Sequence, residues 1–241
     1  MSISCNIKKI NEEIWKAENL FGRTPSSVIL LAVSKSQGVE KIKIAVTCGQ
    51  KRFGENYLQE ALPKINLLRA YDLEWHFIGA IQANKARLIS THFSWVHSIS
   101  SLKIAEQLQR HRASVLSPLN ICIQINISGE KNKSGVSLSD LPEFVSVIKK
   151  FNRLRLRGLM AIPANYKNFE TQKRVFKKLQ RAQKQLIEQG LPLDVLSMGM
   201  THDFPAAIAA GSTMIRIGTG IFGSRSRDLR SVNNLRESVI S

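Results

Sequence analysis

Apolar and polar positions along the chain follow two recurring patterns. One is a short continuous apolar run, such as Val28–Val33, which is typical of a strand buried on both faces. The other places an apolar residue at every third or fourth position, as in 39–48 and 169–189, which predicts an amphipathic helix. In chain order the first pattern predicts eight strands: 28–33, 52–53, 75–78, 95–98, 119–127, 155–160, 195–198 and 213–217.

A predicted helix follows each of the first seven strands, and there is room for a short one after the eighth. Ser100 and Ser139 are the expected N-terminal caps of two of these helices. Eight strand–helix units in this order predict a (β/α)8 TIM barrel of the α/β class, with a doubly wound open sheet as the competing architecture. The seven helices are predicted at 39–48, 57–68, 82–90, 100–112, 139–151, 169–189 and 204–210.

Two segments lie outside these units, one at each end of the chain. Apolar residues at helical spacing precede Gly22, so we expect residues 1–22 to form a helix packed on the barrel. Residues 225–241 are polar and basic, and we expect a frayed tail there. No linker or fixed-period repeat interrupts the sequence, which predicts one barrel domain over residues 1–241.

Composition and charge narrow the classes of function. No apolar run approaches the roughly 20 residues of a membrane span, so no membrane association is expected. The three cysteines are far apart and form no Cys/His cluster, so no metal site is expected and a cytoplasmic location fits. The formal net charge is +17, but the basic residues are spread along the chain without a nucleic-acid-binding motif. Specific nucleic-acid binding is therefore not expected, and the sequence does not explain the excess charge.

Polar residues follow several strands, where the chemistry of such barrels lies. Lys35 follows the first strand, and an amine held beside an apolar core loses its proton more readily and becomes a nucleophile. From position alone, a lysine reaching into solvent remains the commoner interpretation. Asn56 follows the second strand, and an asparagine in that position is often a turn residue or a helix cap, without any role in binding. His76 lies among apolar neighbours and is more often a core residue than a catalytic one.

A glycine-rich segment follows the eighth strand. Gly218–Gly223 matches G-x-G-x-x-G, but too few residues remain after it for the helix, strand and acidic residue of a dinucleotide-binding fold. Barrels often bind phosphate at the loops after strands 7 and 8, where Thr201, Gly218 and Thr219 are expected. Tight closure of the barrel by glycine explains the same spacing equally well.

Eight stretches of the chain are informative as a set: LLAVSK (30–35), RFGENY (52–57), WHFIGAIQANK (75–85), IQINISGEKNKSG (123–135), RLRLRGLMAIP (153–163), MGMT (198–201), AAIAAGSTMIRI (206–217) and GTGIFG (218–223). Taken together, they resemble the pyridoxal phosphate homeostasis proteins. One such stretch alone would mean little, whereas the whole set in this order is very specific. The resemblance implies a fold-type III pyridoxal phosphate protein with the barrel of the alanine racemase N-terminal domain.

The resemblance also implies which residues contact the cofactor. Lys35 would carry pyridoxal 5'-phosphate as a Schiff base, and Arg216 would face its pyridine nitrogen. The phosphate and the ring would be contacted by a further set: Asn56, His76, Met200, Thr201, Gly218 and Thr219.

This chain departs from the family pattern near the expected phosphate loop. Thr201 stands where the family usually has Ser, which keeps the hydroxyl, and Gly220 stands where Ala is common. Phe204 and Pro205 replace a common Met-Glu pair.

The residues predict a binding protein and no robust catalysis. Arg216 can only donate hydrogen bonds, so a ring nitrogen facing it stays unprotonated and the ring is a weak electron sink. Racemases of this fold add a β-rich domain and a tyrosine base, and none of the three tyrosines here follows a strand directly. We therefore expect a monomeric carrier or buffer of pyridoxal phosphate that hands the cofactor to apo-enzymes. The alternatives are a low-activity amino-acid racemase and, from charge alone, a basic RNA-binding barrel.

Overall fold

Eight parallel strands close into a barrel in the computed structural model, which describes residues 2–130 and 133–223. The strand order around the barrel is the order along the chain, and the last strand pairs with the first. This confirms the TIM barrel and excludes the open sheet. The strands are β1 (Ile29–Val33), β2 (Arg52–Glu55), β3 (Glu74–Phe77), β4 (Trp95–Ile99), β5 (Leu119–Ile125), β6 (Leu154–Ala161), β7 (Val195–Ser197) and β8 (Met214–Ile217).

Helices cover the outside of the barrel and bury apolar faces against it. Within the described part of the chain, no helix combines the length and apolar character needed to cross a membrane. The predicted basic stretch at 225–241 lies outside the described residues. The helices are α1 (Ile3–Leu20), α2 (Val39–Thr47), α3 (Leu58–Leu67), α4 (Ala86–His92) after a 3-10 turn (Ala83–Lys85), α5 (Leu102–His111), α6 (Leu141–Ile148), α7 (Phe169–Glu188), α8 (Phe204–Ala209) and α9 (Thr219–Phe222).

The two predicted helix caps, Ser100 and Ser139, are each wrong by one residue. Helix α5 is capped by Ser101, whose Oγ accepts the N–H of Ile104 at 3.3 Å. Helix α6 begins after Asp140, whose own N–H donates to Ser137 Oγ at 3.1 Å. Neighbouring serines compete for such positions, so a cap is harder to predict than the helix that it precedes.

The interior of the barrel is layered, because alternate residues of each strand point inward. Trp95, Val195 and Met214 belong to a buried apolar cluster inside the barrel. Two residues further along the same strands, nearer their carboxyl ends, the buried residues are polar: His97, Ser197 and Arg216. The apolar layer therefore supports a polar layer that lies closer to the expected site.

Helix α1 is tied to the barrel by a buried carboxylate. Its apolar face buries Ile10 and Ile14, and Glu18 near its end is only 2% exposed. Glu18 accepts the backbone N–H groups of Ser26 at 3.0 Å and Val28 at 2.8 Å, in the segment that leads into β1. Ser26 has a φ of 61°, an uncommon conformation for a residue other than glycine, and this carboxylate stabilises it.

Replacing Glu18 with Ala is expected to lower the free energy of unfolding by about 2–4 kcal/mol, because two N–H groups lose their charged acceptor. Urea unfolding followed by circular dichroism measures the change. Glu12→Ala, on the exposed side of the same helix, is the matched control and should stay within about 0.5 kcal/mol of the unmodified protein. Equal effects of the two substitutions would contradict this role of Glu18.

Candidate functional site

The carboxyl ends of the strands meet at one end of the barrel, which we call the mouth. Lys35 follows β1, Asn56 follows β2, and the turn at Gly218 follows β8. Because β1 lies between β2 and β8, Lys35 has Asn56 on one side and Gly218 on the other. Residues from both ends of the sequence thereby meet at one place.

A buried ion pair supports the turn that carries Lys35. Glu55, at the end of β2, is fully buried, and its Oε1 accepts from Ser34 Oγ at 2.6 Å and from Lys64 Nζ at 2.8 Å. Lys64, from α3, also donates to the carbonyl oxygen of Ser34 at 2.9 Å. Burial raises the pKa of Glu55, and the positive charge of Lys64 opposes that shift. The residue before Lys35 is thus fixed through both its side chain and its backbone.

The residue after Lys35 is held by a second carboxylate. Ser36 has a φ of 59°, and its N–H donates to Glu60 Oε2 at 2.8 Å. Lys35 itself is half-buried. Its backbone is therefore fixed at the mouth, beside residues from two other strands.

The loop after β7 contacts the turn after β8. Gly199 has a φ of 100°, and a Cβ there would lie 2.7 Å from a side chain of α8, so this position requires glycine. The N–H of Met200 donates to Asp203 Oδ1 at 2.6 Å, which shapes the turn that holds Thr201. A Cβ at Gly220 would lie 3.3 Å from Thr201 Cγ2, so the two loops are packed together.

The turn after β8 also packs against the end of β1. A Cβ at Gly218 would lie 3.3 Å from the carbonyl oxygen of Val33. Val33 is two residues before Lys35, so Gly218 and Thr219 are brought to the lysine turn. The sequence left two roles open for the glycines: closure of the barrel and close approach of the backbone to a ligand. This contact is compatible with both roles.

Arg216 lies inside the barrel and is 4% exposed. Its Nη1 donates to Ser197 at the carbonyl oxygen (2.6 Å) and at Oγ (2.7 Å), and its Nη2 donates to the carbonyl oxygen of Ala161 at 3.0 Å. Burial lowers the pKa of Arg216 to about 10, so the guanidinium remains charged at neutral pH. Two of its five N–H groups, Nε–H and one on Nη2, have no hydrogen-bond acceptor among the described residues.

His76 is fully buried and bonds to the interior of the barrel. Its Nε2 lies 2.9 Å from Glu74 Oε1, its Nδ1 lies 2.9 Å from His97 Nε2, and its ring stacks on Trp95. Burial lowers the pKa of His76 and lowers that of His97 further. His97 Nδ1 lies 2.8 Å from Ser197 Oγ, so His76 is joined to the polar layer through His97.

Lys64, His97 and Ser197 are among the residues of this arrangement that were missed from the sequence. His97 and Ser197 stand two residues after inward-facing Trp95 and Val195, so strand alternation could have found them. Lys64 gave no such signal, because a lysine on an amphipathic helix is usually solvent-exposed.

Unused polar atoms at the mouth indicate that it can hold a polar ligand. Glu55 Oε2, Asn56 Oδ1 and Asn126 Oδ1 are buried and have no hydrogen-bond partner among the described residues. Buried acceptors in folded proteins are rarely left unpaired. Lys35 and Arg216 add cationic donors to these acceptors, so the mouth offers both donors and acceptors to a polar ligand. Among the residues that the structure describes, no group of three or more His, Cys, Asp or Glu is placed to hold a metal ion.

Two surface grooves lie away from the mouth. One, of ≈ 490 Å³, runs along α1 beside Cys48, and another, of ≈ 430 Å³, lies between α1 and the side chains of Phe169 and Pro205. Neither groove is lined by the residues that follow the strands. The chemistry of the side chains, and not concavity alone, therefore marks the mouth as the candidate site.

Comparison with known proteins gives consistent matches over nearly the whole chain. The family model described as "Alanine racemase, N-terminal domain" matches residues 8–226. A curated protein of Vibrio alginolyticus, named pyridoxal phosphate homeostasis protein, is 49% identical over 228 residues, covering 93% of this chain and 98% of that protein. Further curated relatives carry the same name.

Solved structures give the same fold. PipY of Synechococcus elongatus, solved with pyridoxal phosphate bound, superposes with a TM-score of 0.76 at 35% identity, covering 87% of this chain and 100% of PipY. Alanine racemase of Corynebacterium glutamicum superposes with a TM-score of 0.66 at 18% identity, covering 92% of this chain and 61% of the racemase. At that identity the racemase supports the fold alone.

Replacing Lys64 with Met is expected to lower the free energy of unfolding by about 3–5 kcal/mol, because the Glu55 carboxylate is left buried without its counter-charge. Lys43→Met is the control, since Lys43 pairs with Glu40 on the surface, where solvent screening leaves an ion pair little effect on stability. Urea unfolding of both variants measures the difference. The double variant Lys64→Met/Glu55→Gln should recover part of the loss, and a Lys64→Met variant as stable as Lys43→Met would contradict the supporting role of the pair.

Proposed function

This chain belongs to the family of pyridoxal phosphate homeostasis proteins, built on the barrel of the alanine racemase N-terminal domain, and we propose that it binds pyridoxal 5'-phosphate and acts in homeostasis of that cofactor. The observation that carries the proposal is the position of Lys35 at the mouth, with the turn of Gly218 beside it. The PipY structure with pyridoxal phosphate supports the same cofactor.

We infer that Lys35 attaches the cofactor through its Nζ amine, and that Arg216 donates to the pyridine nitrogen with one of its uncommitted N–H groups. When bound, the cofactor supplies an aldehyde that reacts with primary amines. The neutral form of a lysine amine is the nucleophile that forms such a Schiff base. The remaining contacts to the phosphate and ring are assigned to Asn56, Met200, Thr201, Gly218 and Thr219. His76, expected among them from the sequence, is fully buried with both ring nitrogens paired inside the barrel, so we assign it no direct contact.

The environment of Arg216 favours binding without catalysis. A charged guanidinium has only donors, so it stabilises an unprotonated ring nitrogen and leaves the ring a weak electron sink. The curated relatives are named for homeostasis and not for a reaction. The protein is therefore a cofactor carrier or buffer and not a robust enzyme.

We propose further that the carrier acts as a monomer in the cytoplasm and hands the cofactor to apo-enzymes. Cys5, Cys48 and Cys122 are free thiols, which fits a reducing compartment. Attachment through a half-buried lysine at an open end of the barrel gives an incoming amine access to the bound aldehyde.

Reconstituted protein is expected to show a visible absorbance band that borohydride removes, with the reduced cofactor fixed on Lys35 in peptide mass spectra. Lys35→Ala should show neither the band nor the fixed label, because the attaching amine is gone. Lys41→Ala, which removes an exposed lysine of α2, is the control and should be labelled like the unmodified protein. Unmodified protein that cannot be loaded would overturn the cofactor assignment, and Lys35-dependent amino-acid racemisation would favour the low-activity racemase instead.

Thr201→Val is expected to weaken binding of pyridoxal phosphate about 10- to 100-fold, because one hydrogen bond to a charged phosphate is lost. Thr201→Ser keeps the hydroxyl and should bind nearly as tightly as the unmodified protein. Equilibrium dialysis of the three proteins measures the affinities. If valine and serine have the same effect, the hydroxyl of Thr201 does not bind the phosphate.

A further inference from the structure

Five side chains form a continuous line of hydrogen bonds through the interior of the barrel. Glu74 Oε1 lies 2.9 Å from His76 Nε2, and His76 Nδ1 lies 2.9 Å from His97 Nε2. His97 Nδ1 lies 2.8 Å from Ser197 Oγ, which accepts from Arg216 Nη1 at 2.7 Å. We call these five residues the interior network. It begins at the first residue of β3 and ends at Arg216 of β8, so it crosses from the amino end of the barrel to the site.

The donors and acceptors permit one arrangement of protons when both imidazoles are neutral. The Glu74 carboxylate can only accept, so Nε2 of His76 carries the proton and Nδ1 of His76 accepts. Nε2 of His97 must then carry a proton, and Nδ1 of His97 accepts from the Ser197 hydroxyl. The Ser197 oxygen is left to accept from Arg216. Every hydrogen bond of the network therefore points from Arg216 toward Glu74.

The charges at the two ends support this direction. The hydrogen bond from His76 is the main effect that lowers the pKa of Glu74, to about 2, so Glu74 is a carboxylate at neutral pH. Arg52 Nε also donates to Glu74 Oε1, at 3.0 Å. Both histidines are fully buried, which disfavours their charged forms. A protonated His97 would also face the positive charge of Arg216 across one hydroxyl group.

We propose that the interior network positions Arg216 for the cofactor ring, and that His76, His97 and Ser197 are positioning residues whose proton direction is set by Glu74. The proposal rests on the proposed function for the group that Arg216 faces. With the Ser197 hydrogen directed at His97, its oxygen presents a lone pair to Nη1 of Arg216. The guanidinium is then held by three bonds, and its two uncommitted N–H groups have one fixed orientation.

The direction of the network can be measured in the protein without cofactor. Long-range proton–nitrogen NMR spectra distinguish the two imidazole tautomers, and His76→Gln and His97→Gln assign the signals. We expect a pyrrole-type Nε2 and a pyridine-type Nδ1 in both histidines from about pH 5 to about pH 8, the range in which an exposed histidine titrates. An Nδ1-protonated tautomer at either histidine of the unmodified protein would overturn the proposal without the use of any destabilising variant.

Substitutions at Glu74 test whether this residue, at the end of the network opposite to Arg216, sets the direction of the hydrogen bonds. Glu74→Gln keeps a carbonyl acceptor for His76 and should preserve both tautomers. Glu74→Leu removes the acceptor, so an Nδ1-protonated population is expected at His76 and also at His97, one strand away. A purely structural role of Glu74 would leave the His97 nitrogen signals unchanged, and that result would overturn the proposal.

The effect on cofactor binding is tested at His97. His97→Phe breaks the network and is expected to release pyridoxal phosphate into an apo-enzyme trap roughly tenfold faster, a coupling typical of residues in one hydrogen-bond network. The side-chain amide of the His97→Gln variant carries an acceptor and a donor next to each other. This variant should therefore release the cofactor at a rate close to that of the unmodified protein. Cys122→Ala, a buried residue in the same interior, controls for lost packing. Equal release from the Phe and Gln variants, or from the Phe and Cys122→Ala variants, would overturn the positioning role.

These measurements separate the proposal from the function on which it rests. If the unmodified protein does not take up pyridoxal phosphate, the proposed function fails, and the tautomers of the cofactor-free protein still decide the direction of the network. If it takes up the cofactor but shows the opposite tautomers, the network proposal fails and the function stands.

Discussion

The pairing of β8 with β1 closes the barrel, and the site depends on that closure. The register places Leu31 beside Arg216 and Ala32 beside Ile217, so the two strands end together. The turn of Gly218 then packs against Val33 and meets the turn of Lys35. An open sheet with the same strands would leave the amine and the glycine turn at opposite edges. Closure is therefore what makes one site out of the two ends of the sequence.

The sequence predicted the features that depend on local pattern. Apolar runs found all eight strands, and the residues after them include Lys35 and Asn56 at the mouth. The helix caps were misplaced because adjacent serines carry the same local signal. Lys64 was missed because its burial depends on where α3 packs against β2, which no spacing along the helix records. Prediction therefore succeeded for features that depend on a single strand or helix and failed for features that depend on contacts between two elements.

His76 shows how a correct interpretation can be incomplete. Its apolar neighbours favoured a satisfied core residue, and it is fully buried with both ring nitrogens paired. The family resemblance placed it near a ligand. Both statements become compatible once its partner is known, because His97 connects it to Ser197 and so to Arg216. The connection crosses from β3 through β4 to β7, and only the barrel geometry reveals it.

Burying polar groups lowers the stability of a protein, so the places where this barrel buries them are informative. The Glu55–Lys64 pair and the interior network both remove charge from water, and apolar replacements of similar shape are often as stable. The pair lies beneath the mouth, where Glu55 supports the lysine turn, and the network reaches the same region at the guanidinium of Arg216. The same network also explains why binding is separated from catalysis. Burial disfavours the charged form of its histidines, and in the proposed arrangement all its hydrogen bonds point away from Arg216. In the proposed complex the ring nitrogen would therefore meet a fixed donor and no transferable proton.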